Sequence, residues 1–212
     1  FYFFLVGSIV ASFLGLVVDR FPEQSIITPA SHCNVCRQKL APRDLIPVLS
    51  QLINRLRCRF CNSKIPIRYI LLELTGGCLF LATSLGYLNI NRLVLLAMGM
   101  TLSLYDQRHQ EYPLLIWLFS HVLLLFLTGF NLLMAIFLAL GILTHFVDLR
   151  IGAGDFLFLA SCSTIFHLTE VLLIIQIASI IGLLLFGLKS KKDRLAFVPC
   201  LFCGSSILIM IQ

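Results

Sequence analysis

Charge is what this 212-residue chain has least of: 12% of its residues are Asp, Glu, Lys or Arg, while 59% are hydrophobic and the mean hydropathy is +0.98. A soluble domain carries about 25% charged and about 45–50% apolar residues, so a soluble globular fold is excluded and a polytopic membrane protein is expected. The N-terminus lacks signals too. The apolar stretch 1–18 has no basic residue before it and no small-residue cleavage site after it, so it reads as a retained first span and not as a signal peptide. The numbering begins at Phe without a Met, which leaves room for native residues ahead of it. His109, His121, His145 and His167 stand singly, without ligand spacing, and are expected to be interfacial or interhelical hydrogen-bonders.

The charge that is present is unevenly placed. Of 16 Lys and Arg, nine fall between Arg20 and Arg68, in the only long polar segment, which the positive-inside rule assigns to the cytoplasm. Further apolar runs lie at about 69–88, 92–105, 113–128, 130–147, 156–168, 170–188 and 196–212, making eight spans with 1–18. Threading them alternately from an outside N-terminus puts 106–111, 148–155 and 189–194 on the cytoplasmic side and leaves Arg92 as the one basic residue outside. The expected fold is an all-α polytopic membrane protein of about eight transmembrane helices with a small cytoplasmic zinc-ribbon-like module. Its parts are a first helix at 1–18, the module at 19–68 and a helical core at 69–212.

Two runs are short. Stretches 92–105 and 156–168 rise only about 20 Å as helices against ~30 Å of hydrocarbon. Either the bilayer is thinned or the helices lie inside the bundle, admitting water, or the boundaries lie several residues away.

In the polar segment Cys33-Asn34-Val35-Cys36 and Cys58-Arg59-Phe60-Cys61 form two C-x-x-C hooks, 21 residues apart. That spacing suits a four-thiolate zinc site. Four thiolates leave no open position, so the metal would be structural, supplying folding energy to a segment too poor in large apolar side chains to build a core. Two disulfides are the rival reading and fit poorly with a reducing cytoplasm. Cys200 and Cys203, inside the last run, and Cys78 and Cys162 read as packing residues.

Each short run adjoins a carboxylate: Asp106 follows 92–105, and Gly152-Ala153-Gly154-Asp155 leads into 156–168. A carboxylate at a bilayer border is costly and marks a functional candidate. Two on one face suggest an acid/base pair for peptide hydrolysis, one ionised and taking a proton from water, the other protonated and donating to the scissile carbonyl. Gly152 and Gly154 would let backbone approach closely or adopt dihedrals closed to other residues.

Other charges have plainer expectations. Asp148 pairs with Arg150, Asp19 with Arg20, and Glu73 either with Arg68 or with a polar group of a substrate. Gly7, Ala11 and Gly15 form a small-residue stripe for close helix packing. Positive-inside topology accounts for the basic segment, and with only Phe21, Phe60 and Tyr69 as aromatics it is not expected to bind nucleic acid.

The succession of motifs carries a resemblance. A first span ends in Ala11-Ser12-Phe13-Leu14-Gly15 and Arg20-Phe21-Pro22, followed by Pro29-Ala30-Ser31-His32-Cys33-Asn34-Val35-Cys36. Then come Leu45-Ile46-Pro47-Val48-Leu49-Ser50, Arg57-Cys58-Arg59-Phe60-Cys61, Tyr69 through Glu73-Leu74-Thr75-Gly76, Asp106 and Gly152-Ala153-Gly154-Asp155. This order resembles bacterial type IV prepilin peptidases, the bifunctional leader peptidases and N-methyltransferases, of the competence-pilus branch. The resemblance implies a membrane aspartyl protease that cuts the leader from prepilins or pseudopilins at the cytoplasmic border, with Asp106 and Asp155 catalytic and Cys33, Cys36, Cys58 and Cys61 binding zinc. It also implies methylation of the new N-terminal amine from S-adenosylmethionine, whose contacts are assigned to no residue.

The chain departs from the family pattern at Leu157, where many members carry Lys. It departs again after Asp106, where Gln107 and Gln110-Glu111-Tyr112-Pro113 replace a Leu and a later Ile-Ile-Pro. Two other classes remain in view: an ion transporter using the border aspartates as ligands, and a membrane scaffold whose zinc module docks a pilus-machine protein. The oligomeric state is left open.

Overall fold

The computed structural model describes residues 1–144, 146–147, 151–188 and 196–211. They divide into two compact units, 1–89 and 90–212.

In the first unit, α1 (Tyr2–Arg20) packs along α3 (Arg68–Ser84), and between them the chain forms the polar module with a 3₁₀ turn (Pro42–Leu45) and the short α2 (Leu49–Ile53). The small-residue stripe makes this packing possible. A Cβ on Gly7 would strike the carbonyl of Gly76 and one on Gly76 would strike the Ala11 side chain, so the backbones nearly touch. Gly77 is equally confined, since a Cβ there would stand 2.6 Å from both Phe4 Cε2 and Ser8 Oγ. At this distance Ser8 Oγ donates to the Glu73 carbonyl at 2.9 Å.

The second unit holds α4 (Ile90–His109), α5 (Leu114–Thr128), α6 (Leu132–Leu143), α7 (Ala153–Cys162), α8 (Leu168–Leu188) and α9 (Val198–Ile211). Each expected apolar run thus carries a helix. The helix on 92–105 is not short, however: α4 has 20 residues, about 30 Å, and continues through Asp106 until Gln110 takes a φ of 53°. Alternating polar residues do not break a helix, and the hydropathy boundary therefore stopped a turn early. The helix α7 is short, at 10 residues or roughly 15 Å.

Packing in this unit depends on gaps left by glycine. A Cβ on Gly99 of α4 would stand 2.5 Å from Phe202 of α9 and 3.2 Å from Phe158 of α7, so these two rings fill the α4 surface. Tyr105, Leu95, Leu102, Phe158, Phe166 and Leu201 are buried around them. Asn131 caps α6 by accepting from Leu133 N at 3.0 Å, and its amide donates to the Ser163 carbonyl at 3.1 Å, tying the start of α6 to the end of α7. His121, expected to bond between helices, does so: its Nδ1 lies 2.8 Å from Ser161 Oγ, which also accepts from Trp117 Nε1 at 3.0 Å.

The outer surface is apolar. Phe126 and Met210 are 88% and 87% exposed, joined by Phe119, Phe130 and Leu183. Water would penalise such a patch and lipid would not. The helix α1 and the Leu168–Gly187 part of α8 are each long and apolar enough to cross a bilayer, and α5, α6, α7 and α9 are shorter apolar helices. Cys162 and Cys200 are buried as packing residues, whereas Cys78 and Cys203 face outward, because their helix positions fall on the apolar outer face.

Two expected charge pairings come out differently. Asp19 pairs not with its neighbour Arg20 but with Arg68, at 3.2 Å, and accepts from the Tyr69 hydroxyl. Arg20 turns back to donate to the carbonyls of Pro29 at 2.7 Å and of Ser25 and Ile26 at 3.4 Å. Glu73 meets neither Arg68 nor any other cation among the described residues; its Oε2 accepts from Val48 N and Gln51 Nε2, each at 2.7 Å, and its Oε1 from Ser12 Oγ at 2.8 Å. Adjacent residues on a helix point roughly 100° apart, which separates Asp19 from Arg20. His145 and the Asp148/Arg150 pair lie outside the described residues, as do Lys189, Lys191, Lys192 and Arg194.

Candidate active site and metal centre

The two hooks of the polar module fold alike. Cys33 N donates to Gln38 O at 3.0 Å and Arg37 N to Cys33 O at 2.9 Å; in the second hook Cys58 N donates to Ser63 O and Asn62 N to Cys58 O, both at 2.8 Å. Each hook is closed by an antiparallel bridge, His32 with Lys39 and Arg57 with Lys64. Arg37 and Asn62, at equivalent places, adopt φ of 60° and 59°, the left-handed conformation that turns each loop back on itself.

The hooks bring four free thiols together, all within 4.8 Å of one another. Cys33 Sγ lies 3.8 Å from Cys61 Sγ and Cys36 Sγ 4.0 Å from Cys58 Sγ. A disulfide needs about 2.05 Å, whereas a tetrahedron of thiolates around a metal at about 2.3 Å has edges of about 3.8 Å. The donor set fits a tetrahedral metal ion. Hydrogen bonds favour the thiolate form of two of the four, while Cys36, against the backbone N–H of Gln38, is pushed up to about 11 by desolvation and the neighbouring thiols. The backbone N–H of Cys36, then those of Val35 and the Ser63 hydroxyl, hold the Cys33 thiol down to about 6 against desolvation. The hydroxyl and then the N–H of Ser63 likewise hold Cys61 below the ordinary thiol value.

Asp106 and Asp155 come together in the second unit. Asp106 stands in the last turn of α4, where its Oδ2 accepts from Val198 N, the first residue of α9, at 3.2 Å. That N–H is one of the donors a helix start leaves without an internal partner. Asp155 stands in the first turn of α7, with its N–H bonded to the Gly152 carbonyl at 3.1 Å. Both carboxylates are partly exposed and within electrostatic reach of each other.

Gly152 caps α7 in an ordinary extended conformation, φ −66° and ψ 136°, so the expectation of unusual dihedrals fails there. Close approach is what Gly154 supplies. A Cβ on it would lie 2.7 Å from Cγ and 2.9 Å from Cε2 of Tyr112, whose ring occupies that space. Tyr112 lies in the link between α4 and α5, and both aspartates are within electrostatic reach of it. Its hydroxyl oxygen is buried and has no hydrogen-bond partner among the described residues. The sequence marked this position only as a departure from a family pattern, and Val198 carried no signal at all. Glu111, the neighbouring negative charge, is exposed to solvent.

Leu157 also finds a role. Its side chain packs where Gly141 of α6 leaves room, with Cδ2 3.4 Å from the position of a Cβ there, and its carbonyl accepts from Trp117 Nε1 at 3.0 Å. An apolar side chain suits that contact, and a lysine would have to leave it to reach water.

Residues 5–87 match the family described as Bacterial Peptidase A24 N-terminal domain. Among curated proteins, the chain is 40% identical to the prepilin leader peptidase/N-methyltransferase of Myxococcus xanthus over 118 residues, 53% of this chain and 35% of that protein. It is 39% identical to the Bacillus subtilis protein of the same name over 85 residues, covering 40% and 34%. A third of that name, from Neisseria gonorrhoeae, is 26% identical over 245 residues, 93% of this chain and 85% of the relative. The matched segments thus span about a third of the length of the first two relatives. No solved structure matches.

Proposed function

We propose that the chain belongs with the type IV prepilin peptidases, as its N-terminal match and its relatives support, and that it is a membrane aspartyl endopeptidase that removes the leader from prepilins or pseudopilins at the cytoplasmic border. The observation that supports this reading is that Asp106, at the end of α4, and Asp155, at the start of α7, lie within electrostatic reach of each other.

Two nearby carboxylates share one proton more readily than both ionise. The ionised member takes a proton from water as the water oxygen bonds to the scissile carbonyl carbon, and the protonated member donates to the carbonyl oxygen. The carbon–nitrogen bond then breaks as the leaving amine takes a proton from one carboxyl group and a hydroxyl of the intermediate returns its proton to the other, restoring the singly protonated pair. With α7 only 10 residues long, Asp155 in its first turn would lie near the cytoplasmic membrane border, where water can reach it. Positive-inside charge supports that orientation.

Zinc held by Cys33, Cys36, Cys58 and Cys61 would be structural, since four thiolates leave no place for substrate. Methyl transfer from S-adenosylmethionine to the new N-terminal amine is the second proposed activity. When bound, that cofactor supplies an electrophilic methyl group; no described arrangement of side chains assigns its site.

The test is incubation of the purified protein with a synthetic prepilin peptide and S-adenosylmethionine, reading cleavage and a methyl mass shift separately. Asp106→Asn and Asp155→Asn should each abolish cleavage, and full activity in both would sink the proposal. Ion flux in proteoliposomes without proteolysis would favour a transporter. Loss of partner binding in cysteine variants, with both aspartate variants unaffected, would favour a scaffold.

A further inference from the structure

A buried phenol with no partner is an expensive thing to keep, because an unsatisfied hydroxyl in an apolar surrounding loses its hydrogen bonds to water and gains none. The Tyr112 hydroxyl is in that state. Its location is not that of an idle gap-filler. The ring lies against Gly154, next to Asp155, in space that any other residue at 154 would occupy. Both Asp106 and Asp155 act on it electrostatically, although neither carboxylate is hydrogen-bonded to it.

A donor with this placement has a partner to gain when a peptide enters. Carboxylate oxygens accept; a phenol, titrating near 10 in its ordinary range, holds its proton at neutral pH and donates. Between two carboxylates, the group that most needs a further donor is the carbonyl oxygen that becomes negatively charged as water adds.

We propose that Tyr112 is a third catalytic residue, its hydroxyl donating a hydrogen bond to the scissile carbonyl oxygen as the tetrahedral intermediate forms between Asp106 and Asp155. This rests on the aspartyl protease reading. Tyr112 adds no proton transfer of its own: its O–H bond stays intact, and only the hydrogen bond is released when the intermediate collapses.

The experiment compares wild type with Tyr112→Phe, Asp106→Asn and Asp155→Asn on one prepilin peptide, with kcat and KM measured separately. Phenylalanine keeps the ring against Gly154 and removes only the hydroxyl. The expected result is a fall in kcat of about 100-fold, as for other single oxyanion donors, with KM within twofold. A kcat within threefold of wild type would overturn the proposal.

Replacing Tyr112 by a ring-fluorinated tyrosine guards against misfolding, since it keeps the hydroxyl and makes it more acidic. Cleavage should survive with a kcat well above that of Tyr112→Phe. A fluorinated protein no faster than Tyr112→Phe would refute the role. The failures separate cleanly. A wild-type protein that cuts no prepilin overturns the protease reading and Tyr112 with it, whereas dead aspartate variants beside an undiminished Tyr112→Phe overturn Tyr112 alone.

Discussion

Replacing Glu73 should loosen the polar module from the α1–α3 pair in a graded way that depends on what replaces it. The carboxylate is 5% exposed and accepts three hydrogen bonds, from Val48 N and Gln51 Nε2 at 2.7 Å and from Ser12 Oγ at 2.8 Å. Bonds to a charged acceptor contribute about 1.5–3 kcal/mol each. Burying the carboxylate costs several kcal/mol in return. Glu73→Leu removes the acceptors, relieves the desolvation and leaves the Val48 N–H and the Gln51 amide without partners. The net loss is about 4 kcal/mol.

Glu73→Gln is different, because its amide oxygen can face Val48 and Gln51 while its NH₂ donates to Ser12, whose hydroxyl can rotate to accept. All three charge-assisted bonds become neutral, and the relieved desolvation offsets part of the loss, leaving about 2 kcal/mol at most. Val48 also has a φ of 62°, a conformation costly for a β-branched residue, so the segment should spring open once its N–H is released. The assay is thermal unfolding in detergent together with proteolytic nicking of residues 46–56 in zinc-loaded protein. Leucine should lower the midpoint by about 10 °C and glutamine by less than half as much. Equal effects of the two, or losses under 1 kcal/mol in both, would refute the clamp.

Metal retention should fall with acidity because protons compete for the thiolates. Ser63→Ala removes the hydroxyl that lowers Cys33 and Cys61, so both thiols should hold protons more tightly and the release midpoint should move to higher pH. A chromophoric chelator titration reads it, and an unmoved midpoint would count against the Ser63 contacts. Gly7→Ala should destabilise by about 1–3 kcal/mol, since its Cβ meets the fixed carbonyl of Gly76. Gly15→Ala should stay within about 0.5 kcal/mol, because the atom it meets at 3.3 Å is the movable Cδ1 of Leu72. Unfolding midpoints compare the two, and a larger loss at Gly15 would contradict the packing.

Most of the helices could be read from apolar runs, because a helix that faces lipid advertises itself along its whole length. The exception is the end of α4, where the run Tyr105-Asp106-Gln107-Arg108-His109 looked like a loop and is helix. The hydropathy reading fails there because polar side chains at a helix end reach water without interrupting the backbone bonds. The hooks were legible for a similar reason. Two thiols three residues apart already define a turn, and the structure adds how Arg37 and Asn62 complete it.

Side-chain partners were less legible. Asp19 looked paired with its neighbour and instead meets Arg68, 49 positions away in sequence. Glu73, expected beside Arg68 or a polar group of a substrate, is buried and held by Ser12 of α1 and by Val48 and Gln51 at α2.

What the sequence alone determined is the class and the chemical inventory: an apolar helical chain, a four-thiol module, and two carboxylates beside apolar runs. Each is a local property, written in composition and short spacing. That Asp106 and Asp155 lie within electrostatic reach of each other, that Gly154 makes room for a ring and that the ring belongs to Tyr112 was decided by tertiary structure alone. Those contacts join the end of one helix to the start of another, and no spacing along the chain encodes a distance that packing has to close.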